Sequence, residues 1–326
     1  MKIGIVISGG DVSGINNFIF QVARLACAQI TLFNGGIPGL LDKDHREVSW
    51  SDLVDFSISS IPIITSGRTA RNLQRSEYET IARKIKSLRI DVLIMAGGDG
   101  SLQFLNTLSE FDINCFGVGM TIDNDVYGSD YTIGFSTACE QIIKEVSRLR
   151  NTGRALPGRV FMAEILGGYC GELTLQSAIK SNADIALIPE AQIPLDALAK
   201  RVKQKLASQN SVVILCSEGY TREYSPGFQG AIDTMIKQLE PRIGVRIRKT
   251  IIGYGLRSGD PTCEEIYQGT IMANEVVRCI QSGMKNKAVI INSSNKPIPI
   301  DLVSMKKRLV DTDGHYYKFA KQLNII

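Results

Sequence analysis

Gly119-Met-Thr-Ile-Asp-Asn-Asp-Val-Tyr-Gly-Ser-Asp130 follows a short apolar run, Cys115 to Val118, that reads as the end of a strand. No packing requirement calls for Thr-Ile-Asp-Asn-Asp at that place. Two carboxylates, Asp123 and Asp125, stand close together beside the hydroxyl of Thr121. Open α/β sheets bind ligands just outside the carboxyl ends of their strands. A carboxylate there can take a proton from an attacking hydroxyl, and a second can organise Mg²⁺.

Outward from this stretch, short aliphatic runs alternate with longer segments of helical period, which predicts parallel βαβ units. Strands are expected at 2–7, 30–33, 91–96, 115–118, 159–165, 185–188, 212–216 and 288–291. The principal helices are expected at 14–28, 75–88, 101–108, 138–149, 171–181, 194–208, 227–239 and 263–282. The expected class is α/β, in two interleaved lobes that each carry a mainly parallel sheet flanked by helices. One lobe spans residues 1–150 together with a C-terminal segment of about 302–326, and the other spans 151–301. The segment 302–323 is expected to be helical and to pack back on the first lobe. Asn151 to Pro157 reads as the loop where the chain changes lobes.

Composition narrows the function. With 44% hydrophobic and 21% charged residues, the 326-residue chain has the balance of an ordinary soluble protein. Its net charge of +4, without a block of like charges, gives no case for nucleic acid. Seven scattered cysteines form no CxxC pair and read as reduced, cytoplasmic thiols. Two histidines cannot build a multi-histidine metal site. No signal peptide and no membrane-spanning run is expected.

Three glycine corners follow expected strands: Ser8-Gly9-Gly10-Asp11-Val-Ser-Gly14, Gly97-Gly98-Asp99-Gly100-Ser101, and Leu166-Gly167-Gly168-Tyr-Cys-Gly171. Glycine lets backbone amides approach phosphate oxygens, and a helix N-terminus adds unpaired N–H groups. Each corner alone is equally well a tight βα turn, and Asp99 alone is equally well a helix N-cap. Neither GxxxxGK[ST] nor GxGxxG occurs, so the chain is neither a P-loop protein nor a standard dinucleotide binder. Arginines suited to clamping phosphate lie near the corners: Arg68 and Arg71 in a loop, Arg159 at a strand start, and Arg248 and Arg257 around Thr250–Gly253. Glu218 follows the run 212–216.

Together the segments SGGDVSGINN, TSGRTAR, GGDGS, TIDNDVYGSDYTIGFSTA, GGYCGELTL, IPE, SEG and RKTIIGYGLRSGDP, in that order, resemble the bacterial-type 6-phosphofructokinase family from Ile3 to about Tyr317. The resemblance implies the two-lobed fold of that family and a Mg²⁺-dependent transfer from ATP to a sugar-phosphate hydroxyl, by default that of fructose 6-phosphate. It implies a homotetramer or homodimer with shared active sites. Carried over motif by motif, Asp123 is the general base, supported by Thr121 and Asp125. Asp99 and Asp125 organise Mg²⁺. Gly9, Gly10, Arg68 (or Arg71), Gly98, Asp99, Gly100 and Ser101 hold the donor. Arg159 and Arg248 reach a neighbouring subunit's acceptor phosphate. Leu166, Gly167, Gly168, Glu218, Tyr254 and Arg257 complete the acceptor site.

Departures from the family pattern concern recognition. Gly168 replaces an arginine, and Tyr254 replaces the histidine that binds the sugar phosphate. Gly36 and Thr69 stand where adenine-flanking aromatics are expected, and Phe20 replaces an effector-site arginine while Arg24 remains. Gly100 matches ATP-dependent members, whereas Met120 matches neither donor class. Two rivals stay open: a pyrophosphate-dependent enzyme, and a non-catalytic member that binds a ligand or regulates a partner.

Overall fold

The computed structural model describes every residue except 43, 69–71, 225–229 and 305–306. In chain order its strands are β1 (Lys2–Ser8), β2 (Gln29–Phe33), β3 (His45–Val48), β4 (Val92–Gly97), β5 (Cys115–Gly119), β6 (Arg159–Ile165), β7 (Ile185–Leu187), β8 (Ser211–Ser217), β9 (Ile247–Ile251), β10 (Lys287–Ile291) and β11 (Pro297–Asp301). They form two sheets, ordered β11-β10-β5-β4-β1-β2-β3 and β7-β8-β6-β9.

In the larger sheet the central strands are parallel, and only the edges β3 and β11 run antiparallel to their neighbours. The central strands are nearly continuous aliphatic runs because helices cover both faces of a parallel sheet, so alternate residues are buried on either side. β4 and β5 are buried at every position. Val6, Leu93 and Met95 pack there with Leu102, Leu105 and Phe33. β11 carries Pro297 and Pro299, which an edge strand tolerates because one side of its ladder is unpaired. In the smaller sheet all pairs are parallel. Its core is built on Met162, Leu187, Val212 and Ile214 with Met235 of the following helix.

Two compact units result, 1–137 with 257–308, and 138–256 with 309–326. This corrects the expected lobe limits. β10 pairs with β5, and the helix Cys263–Gln281 packs on the helix Ile15–Ala26, so 257–301 belongs with the first unit. The C-terminal segment also divides. Ala186 N donates to Ile325 O (2.9 Å) and the helix His315–Gln322 packs on Glu172–Ser181, which ties 309–326 to the second unit. Among the described residues, helix does not run through 302–323: a 3₁₀ turn, Leu302–Ser304, precedes the helix His315–Gln322. Asp311, Asp313 and Gly314, poor helix formers in sequence, lie just before that helix begins.

Candidate active site

β1 ends at Ser8, and the chain turns through Gly9 and Gly10 before the helix Ile15–Ala26 begins. The segment before residue 69 lies against this corner. Gly9 N donates to Gly67 O (3.2 Å), and Arg68 Nε donates to Gly9 O (2.6 Å). β4 ends beside it, with Ser101 Oγ donating to Ser8 O (3.3 Å). A Cβ built on Gly97 would lie 2.5 Å from Cβ of Ser101, so only glycine lets β4 turn this sharply into the helix Asp99–Ser109. The stretch after β5 joins the pair through Met120 N, which donates to Gly97 O (2.9 Å).

These three strand ends surround a cavity of about 610 Å³ within the first unit. Asp99, Thr121, Asp123, Arg68 and Arg257 are on its polar wall, with Gly9, Gly10, Gly98, Gly100 and Ser101. Asp99 is the first residue of its helix, and Gly98 occupies the N-cap position without a side-chain cap bond. The capping alternative for Asp99 is therefore not the one the chain uses. The helix leaves the N–H groups of its first turn without intrahelical acceptors, and these suit an anion. Added Cβ atoms at Gly98 and Gly100 would meet nothing within 4 Å. A Cβ at Gly10 would come within 3.2 Å of the Arg257 guanidinium, which is also 3.5 Å from Asp11.

Ile37, Leu73, Tyr78 and Phe104 line the same cavity, and the rings of Tyr78 and Phe104 stack at 5.2 Å. Aromatic surface is thus present on this wall, from positions other than the two where it was expected, Gly36 and Thr69. Gly36 does not line the cavity; its near neighbour is the backbone of Gly67. Thr69 and Arg71 lie outside the described residues. Tyr78 and Phe104 were missed because they sit on two different helices at core-like spacing, where an aromatic reads as packing.

The acidic stretch is held by its own backbone. Thr121 N donates to Ile133 O (3.0 Å), Thr132 Oγ1 to Thr121 O (2.6 Å), and Asp123 N to Thr121 Oγ1 (3.2 Å). Asn124 adopts a left-handed conformation (φ 52°), and its Nδ2 donates to Asp130 O (3.1 Å). Asp123 reaches the cavity, but Asp125 does not. Asp125 is only 4% exposed, and its Oδ2 is 2.9 Å from Lys307 Nζ. The expected pairing of Asp125 with Asp99 around Mg²⁺ is thus replaced in this structure by an ion pair with a lysine. Among the described residues no three His, Cys, Asp or Glu side chains converge as a ready-made metal cage. Mg²⁺ commonly takes one or two carboxylates plus substrate phosphates, and Asp99 with Asp123 on the cavity wall fits that mode.

Glu265 is a carboxylate that sequence reasoning missed. Fully buried, it accepts from Gly134 N (2.6 Å), Thr137 N (3.1 Å) and Thr137 Oγ1 (3.1 Å). It thereby anchors the chain that leaves the acidic stretch and enters the helix Phe135–Ala155.

In the second unit, Glu218 Oε1 accepts from Gly167 N (3.1 Å) and Gly168 N (2.8 Å). Gly168 has φ 57°, in the left-handed region that favours glycine, and its carbonyl is 2.3 Å from a Cβ built on Gly219, so the approach of the two corners requires glycine at 219. Leu166 sits at the end of β6, while Arg159 and Arg248 lie half-buried on β6 and β9. Tyr254 is 77% exposed. The Arg222 guanidinium stacks 4.3 Å over Tyr169 of the same corner. Burial pushes the nearby Glu164 up, as does the charge of Glu218.

Known proteins bear on this arrangement. The profile described as Phosphofructokinase matches residues 2–280. An ATP-dependent 6-phosphofructokinase of Clostridioides difficile is 31% identical over 329 residues, covering 99% of each chain. A pyrophosphate–fructose 6-phosphate 1-phosphotransferase of Dictyoglomus thermophilum is 26% identical, covering 98% of each. The fold matches a pyrophosphate-dependent phosphofructokinase structure from Nitrosospira multiformis with a TM-score of 0.85 at 18% identity, over 95% of this chain and 86% of that one.

Proposed function

Because the chain belongs to the phosphofructokinase family, we propose that it moves a phosphoryl group from a nucleoside triphosphate, by default ATP, to a hydroxyl of a phosphorylated sugar, by default fructose 6-phosphate. The observation that carries this reading is the meeting of Asp123, Thr121, Asp99 and two glycine corners on the wall of one cavity. In it Asp123 takes the proton of the attacking hydroxyl. Thr121 fixes the Asp123 backbone. The first-turn amides of the helix Asp99–Ser109 and Arg68 hold donor phosphates, and Asp99 is the residue that would hold Mg²⁺. Mg²⁺, when bound, offsets charge on the transferring group. Gly9 and Gly10 let the backbone approach the donor, and Arg257 faces the acceptor. The test is a coupled assay of purified protein with ATP, other nucleotides and pyrophosphate, each against a panel of sugar phosphates. Absence of transfer from every donor to every acceptor would leave the non-catalytic reading.

Two features favour nucleotide over pyrophosphate. Tyr78, Phe104, Ile37 and Leu73 offer apolar surface for a base, and Gly100 leaves open space where an α-phosphate would pass. Gly100→Asp should fold normally, since a Cβ at this position would meet no atom within 4 Å. It should lower kcat/KM for ATP roughly 10–100-fold by like-charge repulsion while sparing pyrophosphate. Equal losses with both donors would refute the assignment.

The acceptor pocket has changed chemistry at Gly168 and Tyr254. An arginine that binds the phosphate adds charge-assisted hydrogen bonds worth about 1.5–3 kcal/mol each. Gly168→Arg with Tyr254→His should therefore raise kcat/KM for fructose 6-phosphate several-fold, the gain from the arginine being reduced by the roughly 1–2 kcal/mol that a side chain costs at the left-handed φ of 57°. A wild type that already uses this sugar near the family's ordinary efficiency, with no better acceptor in the panel, would exclude an altered acceptor.

Arg159 and Arg248 serve a neighbouring copy in this reading, so a dimer or tetramer is the active form. Light scattering that finds a fully active monomer at assay concentration would exclude it. Among the described residues no helix is long and apolar enough to cross a membrane.

A further inference from the structure

We infer that Lys307 is a positioning residue of this site, whose ammonium holds the buried Asp125 carboxylate away from the cavity and leaves Asp99 and Asp123 to face the reactants. The inference rests on the phosphotransfer reading above, but its physical basis is independent of the substrate.

A carboxylate that is 4% exposed calls for a partner of opposite charge, because burying an unpaired charge costs several kcal/mol. Lys307 Nζ, 2.9 Å from Asp125 Oδ2, is that partner. Burial lowers the Lys307 pKa, but the hydrogen bond to Asp125 and the charges of Asp125, Asp99 and Asp123 outweigh it and raise it. The ammonium is thus paired with Asp125 and lies in the field of Asp99 and Asp123, all three belonging to the motifs that define the site. Its arrival from a distant part of the chain is fixed by backbone as well. Lys307 bridges Val126 in antiparallel fashion, and Arg308 N donates to Asp125 O (2.6 Å). Arg308 Nη2 donates to Asn124 O (2.8 Å) and its Nη1 to Asp130 (3.3 Å). The segment thus clasps residues 124–130 through contacts that do not need the lysine side chain, so a variant at Lys307 removes the charge and keeps the clasp.

Two consequences separate this role from a purely structural one. Freed of Lys307, Asp125 becomes available to a divalent cation, so Lys307→Met should bind Mn²⁺ more tightly than the wild type without any nucleotide. The change expected from removing one unit charge at short range from a buried carboxylate is about tenfold or more. A third carboxylate competing for the metal also disturbs the arrangement that reaches the transition state. The same variant should therefore lose kcat by about tenfold or more, with KM for donor and acceptor little changed. Lys307→Arg, which keeps the charge, should return both quantities towards wild type.

The experiment measures Mn²⁺ affinity by electron paramagnetic resonance for wild type, Lys307→Met and Lys307→Arg, with steady-state kinetics and melting temperatures for the same proteins. Tighter Mn²⁺ binding in the methionine variant, reversed in the arginine variant, supports the inference. Unchanged Mn²⁺ affinity overturns it whatever happens to activity. A fall in activity that tracks a lowered melting temperature and is not rescued by arginine overturns it too. Should the wild type transfer phosphate from no donor, the phosphotransfer reading fails while the Mn²⁺ arm still decides the role of Lys307.

Discussion

Asp123→Ala should lower kcat by on the order of 10²–10⁴, the usual contribution of a positioned general base. Substrate affinity should change far less, because proton transfer is made in the transition state rather than in the bound ground state. The prediction rests on placement: Asp123 reaches the cavity wall beside Thr121 and Asp99, whereas Asp125 is turned to Lys307. Folding should survive the change, since Asp123 is only half-buried and its backbone N–H keeps Thr121 Oγ1 as acceptor. Single-turnover kinetics under conditions where chemistry limits the rate provide the check. Turnover equal to wild type would remove Asp123 from this role.

Glu265→Ala should destabilise the first unit by roughly 3–5 kcal/mol, because three buried donors, Gly134 N, Thr137 N and Thr137 Oγ1, lose their acceptor at once. The same residue gives stability a pH dependence with a defined sign. Burial pushes the Glu265 carboxyl up to about 7, against hydrogen bonds from Gly134 and Thr137 that pull it down. An acid whose folded pKa lies above its unfolded one favours the folded state most when protonated. Its contribution is complete below the ordinary value of 4.5 and is lost as pH rises through about 7. Urea midpoints of wild type, measured relative to Glu265→Gln, should therefore fall between about pH 5 and 8. A difference that does not vary with pH would show that Glu265 keeps an ordinary carboxylate pKa.

The two carboxylates illustrate how unevenly a sequence exposes its chemistry. Asp123 was legible because it interrupts an aliphatic strand end with a cluster that no core needs. Glu265 was not, since a glutamate in the first turn of a helix, just after Thr262, reads as solvated and favourable to the helix dipole. Only tertiary packing carries it into a fully buried position against Gly134 and Thr137.

Local pattern alone determined the α/β class, most strand positions, the three glycine corners and the resemblance that these motifs carry. It could do so because strand burial, βα turns and close backbone approach impose residue types within a few positions of one another. Tertiary structure alone decided the rest. The division of the chain follows from β10 pairing with β5 and from Ile325 meeting Ala186, contacts between segments more than a hundred residues apart. The aromatic wall of the cavity follows from Tyr78 and Phe104 stacking across two helices. Lys307 reaches Asp125 from across the sequence, and nothing near either residue signals the other. Such contacts are set by how whole elements pack. The charge balance of the site, and the choice of which carboxylate faces the reactants, therefore belong to the fold rather than to the motif.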